Sequence, residues 1–362
     1  MDVGRTKVGN IIRDTDAFRG GDEDELTALP VPIMERDTLS ISDFHQCDET
    51  LSAMSECSKI EMSQFLYCTG ELAKSCDISK TLLDSQNRSV ALSARTTHMI
   101  ASVALGDSRS AFDDLQIIKT ECDEGFACAA SDPILFRTSI FCALLAEDIL
   151  SSRIFEFPEI SNGIDGLPLG LKAYFGFLQA LRMIRKGEAS MALGVVSVSQ
   201  ALLGNRKPIP KAFLHLAAAS AYMAIGKTNE ALGEYVTARD ILQSIGAIFP
   251  FVEMNFSLLG MSRHYCGMHS STEYKRIETM ALLYHEGWAG LRRLCGLSDT
   301  LASLSPVAAN VASLAFLGWR NKEIASHLHI SENTVKHQLS ESYQRLQVKS
   351  RSELRSIFDG GL

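Results

Sequence analysis

Three groups of residues have the types and spacing that chemistry needs, and each points to a different chemistry. Lys336, His337 and Ser340 stand at helical offsets 0, +1 and +4 in a polar segment near the end of the 362-residue chain. A short helix and a tight break precede that segment, and a polar helix presented in this way suits the major groove of duplex DNA. Gly226-Lys227-Thr228 has the ending of a phosphate-binding loop, but position 221 is Ala where the loop needs its first glycine. The preceding run LHLAAASAYMAI is helical in pattern, whereas a phosphate loop follows a strand, so nucleotide binding is not expected. His264, Cys266 and His269 have the softness that zinc wants. With no evident fourth ligand beyond His285, they read as the end of a helix, and no metal or other cofactor is expected. No GxSxG, HExxH or strand-borne GxGxxG occurs, so the chain is not expected to be an enzyme.

The elements that must hold the polar segment are marked in the sequence. Ser305-Pro306 is an N-cap followed by proline at the first helical position, and Gly318 ends that helix in the left-handed conformation. Asn321 can cap a short helix over Lys322 to Leu328. A break at His329-Ile330 follows, and Ser331 caps a third helix running to about Leu346. Ser352 offers a cap for a last short helix. Val335, Leu339, Ile324, Leu328, Leu314 and Leu346 should form the small core beneath.

Leu304-Ser305-Pro306, Gly318, Asn321-Lys322-Glu323-Ile324-Ala325, Ile330-Ser331, Thr334-Val335-Lys336, Arg345-Leu346 and Val348-Lys349-Ser350-Arg351 together resemble the C-terminal DNA-binding domain of LuxR-type transcription regulators. The resemblance covers about the last 60 residues and implies a four-helix helix-turn-helix domain, here residues 297–362. It implies base readout by Lys336, His337 and Ser340, with phosphate contacts from Asn321, Lys322, Thr334, Arg345, Lys349 and Arg351. It also implies a homodimer on a palindromic site, paired through an apolar strip of Leu354, Ile357 and Phe358. The sequence departs from the family at Ala308 and Ala312, where Glu and Leu are usual. It departs again at His329, which replaces the glycine of the turn and so must take positive φ at some cost.

Charge distribution is compatible with this. The net charge is −8, yet residues 301–362 carry seven Lys and Arg against five acids, leaving −10 on the remainder. An acidic body with a mildly basic end fits a reader attached to a sensor. Nine scattered cysteines without a CxxC pair read as reduced, buried thiols, no apolar run is long enough for a membrane span, and the first 25 residues lack a signal peptide's apolar core. A cytoplasmic location is the expectation.

The body itself, residues 41–296, reads as helix with breaks every 15 to 20 residues, after an irregular or flexible segment 1–40. Gly187 and Gly226 are 39 residues apart, and each is followed at +5, +9 and +12 by a helix-packing set: Ala192, Val196, Ser199 and Ala231, Tyr235, Ala238. A third copy follows Gly106 with Ala111, Leu115 and Ile118, and a degenerate one is due near Ala146. Helix, glycine turn and helix with small residues at the crossing is tetratricopeptide-like logic. The expected fold is therefore all-α, a helical-repeat superhelix followed by the LuxR-type domain. The repeats would bind a peptide, protein or small-molecule effector; an irregular bundle that uses the register only to bury its core remains the alternative. Phe155 to Leu171, with two Pro and three Gly, reads as a long interhelical loop. Two functions follow: a transcription regulator that binds double-stranded DNA, or an interaction protein (anti-activator or scaffold) whose helix-turn-helix no longer reads DNA.

Overall fold

Ser, Asn and Asp side chains start the first helices by accepting a backbone N–H two or three residues on, which satisfies donors the helix cannot. The computed structural model describes residues 31–37, 51, 54–158, 167–269, 271–297 and 303–354. Ser55, Asn87, Asp107 and Asp132 cap helices α1 (Glu56–Thr69), α3 (Arg88–Ala104), α4 (Ser108–Phe126) and α5 (Pro133–Leu150), while α2 (Leu72–Lys80) enters without a side-chain cap. The body continues through α6 (Leu169–Arg185), α7 (Ala189–Leu203), α8 (Pro208–Ala224), α9 (Thr228–Ser244), α10 (Phe249–Glu253), α11 (Met261–His269) and α12 (Ser271–Leu294). Three helices end the described chain: α13 (Pro306–Phe316), α14 (Asn321–His327) and α15 (Glu332–Arg345). No strand occurs among the described residues.

The repeat register is visible as helical hairpins. Gly106, Gly187 and Gly226 take φ of 81°, 78° and 76° at the turns of α3–α4, α6–α7 and α8–α9, a conformation that costs other residues energy. Ala111, Ala192 and Ala231 are each fully buried one turn later, where the two helices cross. Lys227 and Thr228 belong to such a turn and to the start of α9. The copy due near Ala146 degenerates in a specific way. Ser151, at φ 49°, takes the place of the glycine after α5, but residues 152–158 that follow it are not helical. Glu147 holds this irregular run by accepting from the backbone N–H groups of Ile154 and Phe155, both at 3.0 Å. Residues 159–166 of the expected loop lie outside the described residues.

The hairpins do not leave an open concave surface. The Ile248 N–H donates to the Cys68 carbonyl at 2.9 Å, and Tyr67 of α1 bonds to Glu253 of α10, which join the first hairpin to the last. Helix α12 then runs back across α3, α4 and α5. It comes so close that a Cβ on Gly287 would stand 2.0 Å from the Val103 carbonyl oxygen, and Trp288 donates to the Ile149 carbonyl at 2.7 Å. Part of the segment expected to be irregular or flexible plugs this ring. Pro32–Glu35 form a 3-10 turn with Ile33 and Met34 buried, and Glu35 accepts the Leu171 N–H at 2.7 Å. Lys207 bonds to the Glu35 carbonyl with its carboxylate 3.5 Å away. The inside of the ring is a cavity of about 320 Å³.

Candidate nucleic-acid interface

The last three described helices build the polar site from the caps upward. Ser305 accepts the Ala308 N–H at 3.2 Å and starts α13, and Gly318 (φ 91°) ends it as expected. The start of α14 differs from expectation. Asn321 is its first residue rather than its cap; Arg320 takes that place, and its N–H is satisfied by the Glu323 carboxylate at 2.7 Å. The Arg320 side chain bonds to the same carboxylate and, with that backbone bond, holds Glu323 below the usual range. His329 does adopt the left-handed conformation at φ 49°. Ser331 then caps α15 by accepting the Thr334 N–H at 3.0 Å. Val335, Leu339, Ile324, Leu328, Leu314 and Leu346 are all buried, with Ala308 and Ala312 completing the core in place of larger residues.

This packing leaves Lys336, His337 and Ser340 exposed on one face of α15, with Thr334 and Lys322 also exposed near the N-terminal ends of α15 and α14. Asn333 continues the exposed face by one turn; its helical offset from Lys336 and His337 was the signal that sequence reasoning passed over. The flanking residues divide. Lys349 is exposed, and Arg345 is exposed while donating to the Ser303 carbonyl at 2.6 Å and pairing with Glu341 at 2.8 Å. Arg351 is spent differently: it donates to the Trp319 carbonyl at 2.6 Å and to Asn321 Oδ1 at 2.8 Å. Those two expected phosphate contacts thus bind each other and strap the C-terminal turn to the start of α14. Leu354 is fully buried within its own chain, so its side chain is not offered to a second copy in this arrangement. Ile357 and Phe358 lie outside the described residues.

Docking of the site against the helical ring was not legible in the sequence. Leu328 packs over Gly260 so closely that a Cβ there would lie 2.2 Å from a Leu328 methyl. Three imidazoles cross the same boundary, each donating to a carbonyl oxygen. His327 Nε2 reaches Leu259 at 3.0 Å, His264 Nδ1 reaches His327 at 3.1 Å, and His329 Nε2 reaches His264 at 3.1 Å. The rings of His327 and His329 stack on His264, with centroids at 4.6 and 5.6 Å. Burial first, then the neighbouring rings, pushes His327 down to about 4. His264, weighed above as a metal ligand, is used here as a hydrogen-bond donor, and Cys266 is buried. Among the described residues, no group of three His, Cys, Asp or Glu is arranged to hold a metal.

The dock is also incomplete. His327 Nδ1 and Asn310 Oδ1 are buried there without a hydrogen-bond partner among the described residues, a cost of about 1–3 kcal/mol for each such group. No helix among the described residues is long and apolar enough to cross a membrane. Residues 302–358 match the family described as "Bacterial regulatory proteins, luxR family" (GerE). No curated protein and no solved structure matches the chain. Residues 302–358 match a LuxR-type helix-turn-helix domain, and the three helices described within 303–354 fit that arrangement, which supports a DNA-binding transcription regulator.

Proposed function

We propose that the chain reads a specific duplex sequence with α15 and that the helical ring controls this reading through an effector. Lys336, His337 and Ser340 read base edges, and Lys322, Thr334, Arg345 and Lys349 bind phosphates. Arg351 and Asn321 position the start of α14 instead. Two copies bind a palindromic site, through a strip in which Leu354 anchors the last segment and Ile357 and Phe358 pair. The observation that carries the control is the shared wall of the cavity. Ala309 and Ser313 of α13 line the same cavity as Tyr174, Phe213, Tyr284 and Trp288 of the ring. A molecule in the cavity therefore touches the first helix of the reader. The unsatisfied atoms at the dock weaken the docked arrangement, which supports a released alternative as the second state of a switch.

Selection of bound duplexes from a randomised pool by the full chain, followed by mobility shift, tests this. A recovered sequence motif that Lys336→Ala abolishes without loss of helical content supports the reading. No sequence preference even at about 50 mM salt, where backbone contacts are strong, would sink it and leave the interaction-protein function.

A further inference from the structure

The cavity has a chemical character that narrows its occupant. Its walls are largely apolar and aromatic, and its volume of about 320 Å³ is at the lower end for small-molecule sites. One group stands out from that lining. Glu253 keeps accessible surface although protein surrounds it on all sides, so the surface it exposes belongs to the cavity. Its only hydrogen-bond partner among the described residues is the Tyr67 phenol, and no cation pairs with it. The charge that acts on it is that of Asp148, which has the same sign. The two guanidiniums that line the cavity are engaged elsewhere. Arg185 pairs with Asp148, and Arg292 bonds to the Leu150 carbonyl beneath the Trp288 ring.

Three phenol groups stand near this carboxyl. The phenols of Tyr67, Tyr174 and Tyr284 all lie within reach of its charge, which adds to burial in holding them protonated. Tyr174 stacks on Phe177 with centroids 5.4 Å apart and meets Phe213 edge-on at 5.4 Å. A carboxylate without a counter-ion, with phenol groups near it and aromatic rings in the same lining, suits an alkylammonium group with an apolar body, the ammonium held by charge-assisted hydrogen bonds. An anion finds no free donor of positive charge here, and a wholly apolar molecule leaves the carboxyl unanswered.

We propose that the cavity binds a small amphipathic amine, its ammonium on the Glu253 carboxylate among Tyr67, Tyr174 and Tyr284, and its apolar body between Phe177, Phe213 and Trp288. This rests on the reading of the ring as a sensor and names the class of its effector. Occupancy reaches the reader because Ser313 and Ala309 close the cavity from α13.

Trp288 lines the cavity, and the chain has only one other tryptophan, Trp319. Emission of Trp288 in the full-length Trp319→Phe chain is therefore a direct readout. It is titrated with 2-phenylethylamine, 2-phenylethanol and 3-phenylpropanoate. The amine is expected to bind about tenfold or more tighter than the alcohol, the scale of a charge-assisted bond, and the carboxylate weakest. Glu253→Gln is expected to abolish the preference for the amine while leaving alcohol binding in place. Tyr67→Phe, which keeps the carboxylate, is expected to retain the preference and guards against a folding defect in the first variant. Equal affinity for amine and alcohol, preference for the carboxylate, an unaltered preference in Glu253→Gln, or no binding by any of the three overturns the proposal. Mobility shift of the selected duplex with and without the amine separates the two levels. Amine binding that leaves DNA affinity unchanged refutes control by the ring but keeps the amine site. Specific DNA binding by a chain that takes no amine refutes the site and keeps the reader.

Discussion

Acidification should release the reader from the ring, and His327 sets the size of the effect. Its imidazole is 3% exposed, donates through Nε2 to the Leu259 carbonyl and has no acceptor for a proton on Nδ1. Burial and the rings of His264 and His329 lower it from 6.5 to about 4. The sign follows from which form binds the proton: the released reader, with an ordinary imidazole, takes it up first. Docking is therefore at full strength above pH 6.5 and is lost as pH falls through 6.5 toward 4. That shift amounts to about 3 kcal/mol in total, of which roughly 2 kcal/mol is gone at pH 5. Trp319 is a local probe, since its ring meets that of His327 edge-on at 5.2 Å and an imidazolium quenches indole emission. In the full-length Trp288→Phe chain, Trp319 emission is expected to fall with a midpoint at least a unit below 6.5. His327→Gln, which keeps a donor for Leu259 and cannot titrate in this range, is expected to remove the transition. A midpoint at 6.5, or a transition that survives in His327→Gln, would refute the claim that the dock desolvates this histidine.

Other perturbations address separate contacts. Gly260→Ala places a methyl against Leu328 at a residue with φ 79°, so it should open the dock, seen as faster amide exchange in Leu259–His264 and His327–Ile330 with the ring's core protection unchanged. Lys336→Ala should remove sequence preference, whereas Lys349→Ala should weaken all duplexes alike and reduce the slope of log affinity against log salt by about 1. Lys207→Met leaves the buried Glu35 carboxyl without its cation, and urea unfolding should show a loss of about 3 kcal/mol.

Local signals carried much of the architecture because they act within a few residues. Gly106, Gly187 and Gly226 were readable as turns since only glycine takes their φ cheaply, and the alanines that follow were readable as crossings since larger side chains would separate the helices. The same holds for Ser305, Gly318, Ser331 and the exposed face of α15, where caps and helical spacing suffice. His329 was legible even as a departure, since a turn that needs positive φ needs it whatever residue is there. Repeats alone imply a stack, but whether the stack stays open depends on contacts between residues far apart in the chain.

Ile248 bonding to Cys68, Gly287 lying on Val103 and the Pro32–Glu35 plug close this one, and no pattern in the sequence joins those pairs. Arg351 read as a phosphate ligand because its charge is visible in the sequence and its two intramolecular acceptors are not. Glu253 gave no signal at all, being one acid in an acidic body until the fold removed its counter-ions and surrounded it with tyrosines. The sequence by itself determined that the chain is helical and that it carries a LuxR-type helix-turn-helix, because caps, turns and helix faces are set locally. Only the tertiary structure decided that the ring encloses a cavity and that the reader forms part of its wall, because enclosure is a property of distant contacts.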